Sequence, residues 1–389
     1  MYMQKIKPFF YNNKIRNVLF QVIVLLAIVV FFYNAIGNVL SNIESRGIQT
    51  GFGFLGVESG FDIAEYLIDY SSTSTNLRVF YVGLINTLVV SVVGIFFASI
   101  IGLIVGIARL SNNWLISKLA GGYIELFRNI PILLQILFWY NLALAVFPYP
   151  KQSFELFGSV FVNLRGIYLP KPITADGFVW VMIALALGIV LKILVKRYYN
   201  NQQEDTGTKV NTLSYSFLLV VGLPVAVYFI LGSPLSFDYP ALKGFNFKGG
   251  MSLSPEFLAL VFALSVYTAT YIAEAIRAGI ESVSKGQKEA ALAMGLTQKQ
   301  SLKLVILPQA LRVAIPPIIN QYLNLTKNSS LAAAIGYSEL VSVFAGTVLN
   351  QVGQAVEIIL MTMAVYLTIS LAISLVLNIV NRRISTKGR

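Results

Sequence analysis

From Val79 to Ala108 the chain carries no charged residue. A helix needs about 20 mainly apolar residues to cross the hydrocarbon core of a bilayer. This run is too long and too uniformly apolar to keep one face in water. Similar runs recur at Val18–Leu40, Ile130–Phe147, Phe178–Val195, Leu213–Leu231, Phe257–Ala273 and Ile358–Val380, and a more polar one begins near Val313 and continues past Lys327. Only 12% of the 389 residues are charged, against about 25% in an ordinary soluble protein. The expected fold is therefore an all-α integral membrane protein with about eight transmembrane helices. A cleaved signal peptide competes for Val18–Leu40. Its length, and the lack of a small-residue cleavage site close behind it, favour an uncleaved anchor.

Eight crossings place both termini on one side, and the positive-inside rule orients them. With the N-terminus inside, the inner segments 1–17, 109–129, 192–212, 277–312 and 381–389 hold 21 Lys and Arg residues. The outer segments 41–78, 148–178 and 232–253 hold 7. Both termini are expected on the cytoplasmic side. The net charge of +12 is then a membrane signature and calls for no nucleic acid. The outer segment 41–78, with Glu44, Glu58, Asp62, Glu65 and Asp69, reads as a partly ordered cap, and Asn200–Lys209 as a polar inner loop. The chain has no Cys and no His. This removes disulfides, thiolate chemistry, the commonest metal ligand and the commonest general base, so no metal site is expected.

The longest inner segment, 277–312, reads as two short helices joined at a glycine. Ser284 with Gln287, and Thr297 with Gln300, have capping-box spacing. Gly295 suits the position after a helix end, and Pro308 is expected to break or kink the second helix. The small residues Ala290, Ala291, Ala293 and Gly295 would let a partner's backbone approach closely. The alternative is an ordinary basic loop lying against lipid headgroups.

Within this segment Glu289-Ala290-Ala291, then Gly295, then Val305-x-Leu307-Pro308 resemble the EAA loop of bacterial ABC importer permeases, with Val305 where isoleucine is more frequent. Glu125–Gln135 (ELFRNIPILLQ) is similar to a segment of polar amino-acid permeases, with Arg128, Asn129 and Pro131 at its centre and Ile130 where threonine or glycine is usual. Tyr271–Ile280 matches a further stretch of that family. So do Asn320, Leu325–Leu331 and Ile335–Leu340, with Asn328 where aspartate is frequent. The resemblance covers roughly 80–147 and 254–380. The extra span before it and the two inside 148–253 are similar to the larger permease subunits of general L-amino-acid importers.

The resemblance implies a type I (MetI-like) permease core in a bacterial inner membrane. It implies residues 1–78 as tail, first span and outer segment, 79–147 as the first part of the core, 148–253 as an insertion, and 254–389 as the second part with coupling loop 277–312. Glu289, Ala290, Ala291, Gly295, Leu307 and Pro308 would couple to an ATPase. The implied partners are two cytoplasmic ATPase subunits carrying ATP and magnesium, a second permease chain, identical or related, and an external solute-binding protein. This chain has no G-x-x-x-x-G-K-[ST] loop to cradle phosphates, so no cofactor and no catalytic residue are assigned to it.

Glu274 has two readings. It is a polar group of the translocation pathway, or an intrahelical partner of Arg277 at i, i+3. Lys327, Asn328, Ser329 and Ser330 interrupt an apolar region. They line the pathway as broken backbone, which survives at membrane depth only in a cavity or inside protein, or they mark a span that ends early. Arg128 and Asn129 serve the core motif or anchor the inner face. Trp139 and Tyr140 read as interface or packing aromatics. A secondary transporter driven by an ion gradient is the rival function, and it calls for paired broken helices. A membrane enzyme is a distant third.

Overall fold

The computed structural model describes residues 13–45, 47, 50–206 and 213–386. Lys5, Lys7, Arg46, Lys209, Lys387 and Arg389, counted above to orient the chain, lie outside the described residues, as does the part of the polar inner loop after Thr206. Its first part, Asn200–Thr206, is helical.

Eleven helices are described: α1 Asn13–Ser45, α2 Asn76–Arg109, α3 Trp114–Asn129, α4 Ile132–Val146, α5 Phe178–Thr206, α6 Leu213–Ile230, α7 Pro255–Glu281, α8 Lys285–Ala293, α9 Gln298–Ile335, α10 Val341–Val352 and α11 Ala355–Thr386. Seven of them are long and apolar enough to span a bilayer. The expected third span, Ile130–Phe147, is not one straight helix. Helix α4 has 15 residues, about 22 Å at 1.5 Å per residue, which is short of the hydrocarbon thickness. With α3 it forms a pair bent by 102°, and counting that pair as one crossing gives eight. Helix α7 is the buried span: 72% of its most apolar window is buried, against at most 28% in any other candidate.

The chain forms two compact units, one up to Ile95 and again from Ala275 onward, the other Phe96–Glu274. In the first, the outer segment is folded rather than loose. Phe54 is buried with its ring centre 6.2 Å from that of Phe344, which meets Phe80 at 5.1 Å. Burying a side chain of this size contributes about 1.5–3 kcal/mol. Asn76 Nδ2 donates to the Phe54 carbonyl at 3.0 Å, Tyr70 Oη to the Phe61 carbonyl at 2.6 Å, and the Gly51 N–H to the Glu357 carboxylate at 2.6 Å. Helix α2 lies against α10 because Gly83 has no side chain. A Cβ there would stand 2.8 Å from Leu340 Cα. Small residues at such crossings let backbones approach within the membrane.

In the second unit Asn113 caps α3, its Oδ1 accepting from the N–H groups of Leu115 and Ile116. Helix α4 is entered through Pro131, and the buried Gln135 holds the bend, its Nε2 donating to the carbonyls of Phe127 (2.7 Å) and Ile130 (2.9 Å). The two connections flanking α5 and α6, expected as loops, hold eight short strands: β1 Phe154–Leu156, β2 Val160–Asn163, β3 Gly166–Leu169, β4 Lys171–Thr174, β5 Leu235–Asp238, β6 Ala241–Lys243, β7 Asn246–Lys248 and β8 Met251–Leu253. They pair as an antiparallel sheet β1-β2-β3-β8, an antiparallel pair β4-β5 whose strands flank α5 and α6 in the sequence, and a β6-β7 hairpin. Gly166, at φ 117°, brings β3 against β8 so closely that a Cβ would lie 2.0 Å from the Leu253 carbonyl oxygen. The membrane part is helical as expected, and the strands add a small β layer to one insertion.

Candidate functional site

The segment between α7 and α9 is built around a helix end that only glycine completes comfortably. Helix α8 stops at Met294, and Gly295 takes φ 78°. The Gly295 N–H donates to the Leu292 carbonyl (2.9 Å) and the Leu296 N–H to the Ala291 carbonyl (3.2 Å). These are the two bonds of a Schellman motif, which satisfies the carbonyls a helix end leaves open. Two residues later α9 begins on a full capping box. The Gln300 N–H donates to Thr297 Oγ1 (3.3 Å) and the Thr297 N–H to Gln300 Oε1 (2.9 Å).

Ser284 occupies the cap position of α8 but makes no side-chain cap bond, contrary to the expected capping box with Gln287. The Gln287 amide faces α9 instead and accepts from Gln309 Nε2 at 3.4 Å. Pro308 does not break the helix. One wide, π-type turn, Leu302–Ile306, precedes it, with the Leu307 N–H reaching back to Leu302. Such a turn accommodates a ring that lacks the N–H an α-turn would use. Only α8 is therefore a separate helix, since 277–281 continues α7 and 298 onward belongs to α9.

Ala291 is buried, while Glu289, Ala290 and Gly295 are exposed. Leu292 and Met294 are 49% and 72% exposed at the tip. An added Cβ at Gly295 would meet nothing within 4 Å. Leu307 is exposed and Pro308 half-buried, at the start of the long α-helical part of α9. The result is a short helix braced from inside, with an apolar tip left uncovered.

The second group of expected residues lies at the other end of α9. The helix does not break at Lys327. It tightens to a three-residue turn from Ser329 to Ile335 and ends at Gly336, φ 77°. Ser329 Oγ donates to the Thr326 carbonyl and Ser330 Oγ to the Lys327 carbonyl, both at 2.7 Å. The hydroxyls thus satisfy carbonyls released by the change in winding. Ser329 is buried, Asn328 and Ser330 half-buried, and Lys327 exposed. Glu274 is half-buried on α7. Arg277 forms an ion pair with Glu281, four residues on. Among Arg128, Asn129 and Pro131, all exposed, Arg128 stands 5.1 Å from the centre of the Tyr271 ring. Tyr271 meets Tyr267 hydroxyl to hydroxyl at 3.0 Å. Trp139 packs edge-on to Phe262 at 4.7 Å, and Tyr140 Oη donates to Glu256 at 2.8 Å.

One residue quoted above only as part of a motif proves central. Glu339 is fully buried. Its carboxylate accepts from the N–H groups of Val341 (2.8 Å) and Ser342 (2.7 Å) at the start of α10, and from Tyr366 Oη (3.1 Å). An acid just ahead of an apolar run was the available signal.

Residues 207–386 match the family described as binding-protein-dependent transport system inner membrane component. Along nearly its whole length the chain is 51% identical to the putative amino-acid ABC transporter permease protein YhdX of Escherichia coli (strain K12), covering 98% of this chain and 97% of that one. This chain belongs to that family of transport permeases. The general L-amino acid transport system permease protein AapQ of Rhizobium johnstonii is 47% identical, over 97% of this chain and 94% of its own. The glutamate/glutamine/aspartate/asparagine transport system permease protein BztB of Rhodobacter capsulatus is 39% identical, over 97% and 96%. With 97–98% of this chain covered, these alignments take in most of residues 1–78 and 148–253 as well.

Proposed function

We propose that the chain is the permease subunit of an ATP-driven importer of L-amino acids, with α8 and its glycine-ended tip as the element that receives force from the ATPase. The braced, uncovered tip carries this reading. A helix anchored by the buried Ala291, with the exposed Gln287 in contact with Gln309, yet leaving Leu292 and Met294 exposed, is shaped to fill a groove on another protein. The amino-acid cargo is supported by the three relatives, all of them named as amino-acid permeases. Two cytoplasmic ATPase subunits hold ATP and magnesium, a second permease chain completes the membrane part, and an external binding protein delivers the substrate. This chain performs no catalysis and holds no cofactor. It lies in the bacterial inner membrane with both termini inside. Glu274, Lys327, Asn328, Ser329 and Ser330 are the candidates for the substrate pathway, and Arg128, Asn129 and Pro131 form the core motif at the turn from α3 into α4. Reorientation between outward- and inward-open cavities follows movement of α8.

The test compares Gly295→Ala with Gly295→Trp in the assembled transporter. Both place a side chain at φ 78°, which costs roughly 1–2 kcal/mol. Only Trp adds bulk where the isolated chain has open space. Uptake and substrate-stimulated ATPase activity should survive in the first variant and fall together in the second. Normal uptake and normal subunit recovery with Trp would remove α8 from the coupling role.

A further inference from the structure

We propose that the cleft between α5 and α6, at the basic end of α5, is a binding site for one anionic phospholipid. The two helices touch where Gly188 has no side chain: a Cβ there would stand 2.0 Å from the Leu219 carbonyl oxygen. Beyond that contact lies an open cleft of about 480 Å³. Its walls are Leu194 and Val195 on α5 and Leu218 and Leu219 on α6. Three tyrosines, 198, 199 and 215, line its rim, and the rings of Tyr199 and Tyr215 stack at 6.0 Å. The walls suit an acyl chain. Tyrosines are enriched at the level of the headgroups, where a phenol donates to phosphate.

At 100° per residue, Leu194, Val195, Tyr198 and Tyr199 form one stripe of α5. Arg197 borders that stripe on one side and Lys192 on the other, with Lys196 next to Lys192. All three cations are exposed and make no ion pair or hydrogen bond among the described residues. The next acids on α5, Glu204 and Asp205, come about two turns later. Three cations around an apolar slot, on helices that bury little of their surface, complement a negatively charged headgroup with its tail. Basic pockets between spanning helices bind such lipids. The same chemistry does not suit a zwitterionic lipid, which offers no net charge. Nor does it suit a protein helix, which would bury three unpaired cations at cost. The inference needs only that α5 and α6 span the membrane, so it stands or falls apart from the transport reading.

The experiment uses the full chain in its own membranes. Tyr198 is replaced by benzoylphenylalanine, irradiated, and the adduct identified by mass spectrometry. Phosphatidylglycerol or cardiolipin should be captured well above its share of the membrane. Lys196→Gln should lower that capture about fivefold, and removing Lys192 and Arg197 as well should lower it by a similar factor for each. Capture of phosphatidylethanolamine in proportion to its abundance would overturn the proposal. So would an adduct to a protein, or capture that is indifferent to Lys196→Gln. Lys196→Arg, which keeps the charge, should restore capture and so separates loss of charge from loss of fold.

Discussion

Glu339 shows how much one side chain can organise. Its two oxygens answer the first free N–H groups of α10, and Tyr366 ties the same carboxylate to α11. A buried donor left unsatisfied costs about 1–3 kcal/mol. Glu339→Ala leaves two such donors and a phenol without their acceptor, so a loss of about 3 kcal/mol or more is expected. Glu339→Gln keeps one acceptor oxygen and should cost less, and Tyr366→Phe least of all. Thermal unfolding of the detergent-solubilised chain ranks the three, and an alanine variant as stable as the parent would show that the cap carries no weight. Gly295 was legible from its place just past a helix end, where φ above zero is often needed and glycine accepts it without strain. The role of Gln287 was not. Its local spacing promised a bond to Ser284, and the partner that took it, Gln309, lies 22 residues on, where no local pattern points.

Among the helices, the long apolar ones were readable because a bilayer demands an uninterrupted run and the sequence supplies it. Helix α10 was missed: its 12 residues are too few to span, and it sits between two glycines at positive φ, Gly336 and Gly353. The bend between α3 and α4 was half visible. Pro131 marked it, but the amphipathic α3 before it reads as a loop because Lys118, Glu125 and Arg128 interrupt its apolar residues. The strands were hidden for a different reason. They are three or four residues long, and some of them are completed only by distant partners: 81 residues lie between β3 and β8 and 60 between β4 and β5. Packing between elements gives a sharp test at two helical glycines. Gly83→Ala puts a methyl group 2.8 Å from the Leu340 backbone, and overpacking of this kind costs about 1–3 kcal/mol. Gly122→Ala meets nothing within 4 Å and should be neutral or stabilising by roughly 0.5–1 kcal/mol, the usual gain of alanine over glycine in a helix. Detergent melting curves should move in opposite directions. If both variants melt together, α2 and α10 are not locked by that contact.

At the scale of the whole molecule, the open question is whether α3 and α4 together cross the membrane, since everything after them changes side on the answer. With that crossing, the inner segments hold 21 Lys and Arg residues and the outer ones 7. Without it, the sides exchange after residue 147, and the tally becomes 12 inside and 16 outside. The positive-inside bias therefore favours eight crossings with both termini inside. With eight crossings and the N-terminus inside, the β insertion would fall on the outer face and α8 on the inner one. The chain has no cysteine of its own, so single cysteines report topology without background. Phe157→Cys, in the exposed turn between β1 and β2, should react with a membrane-impermeant maleimide added to intact cells. Met294→Cys, at the uncovered tip of α8, should react only after the cells are opened. Each residue is exposed, so failure to label from one side reflects the barrier rather than burial. Labelling of Met294→Cys in intact cells would put α8 outside, beyond the reach of any cytoplasmic ATPase. The bent pair would then be a re-entrant loop, and the coupling role of α8 would go with the eighth crossing.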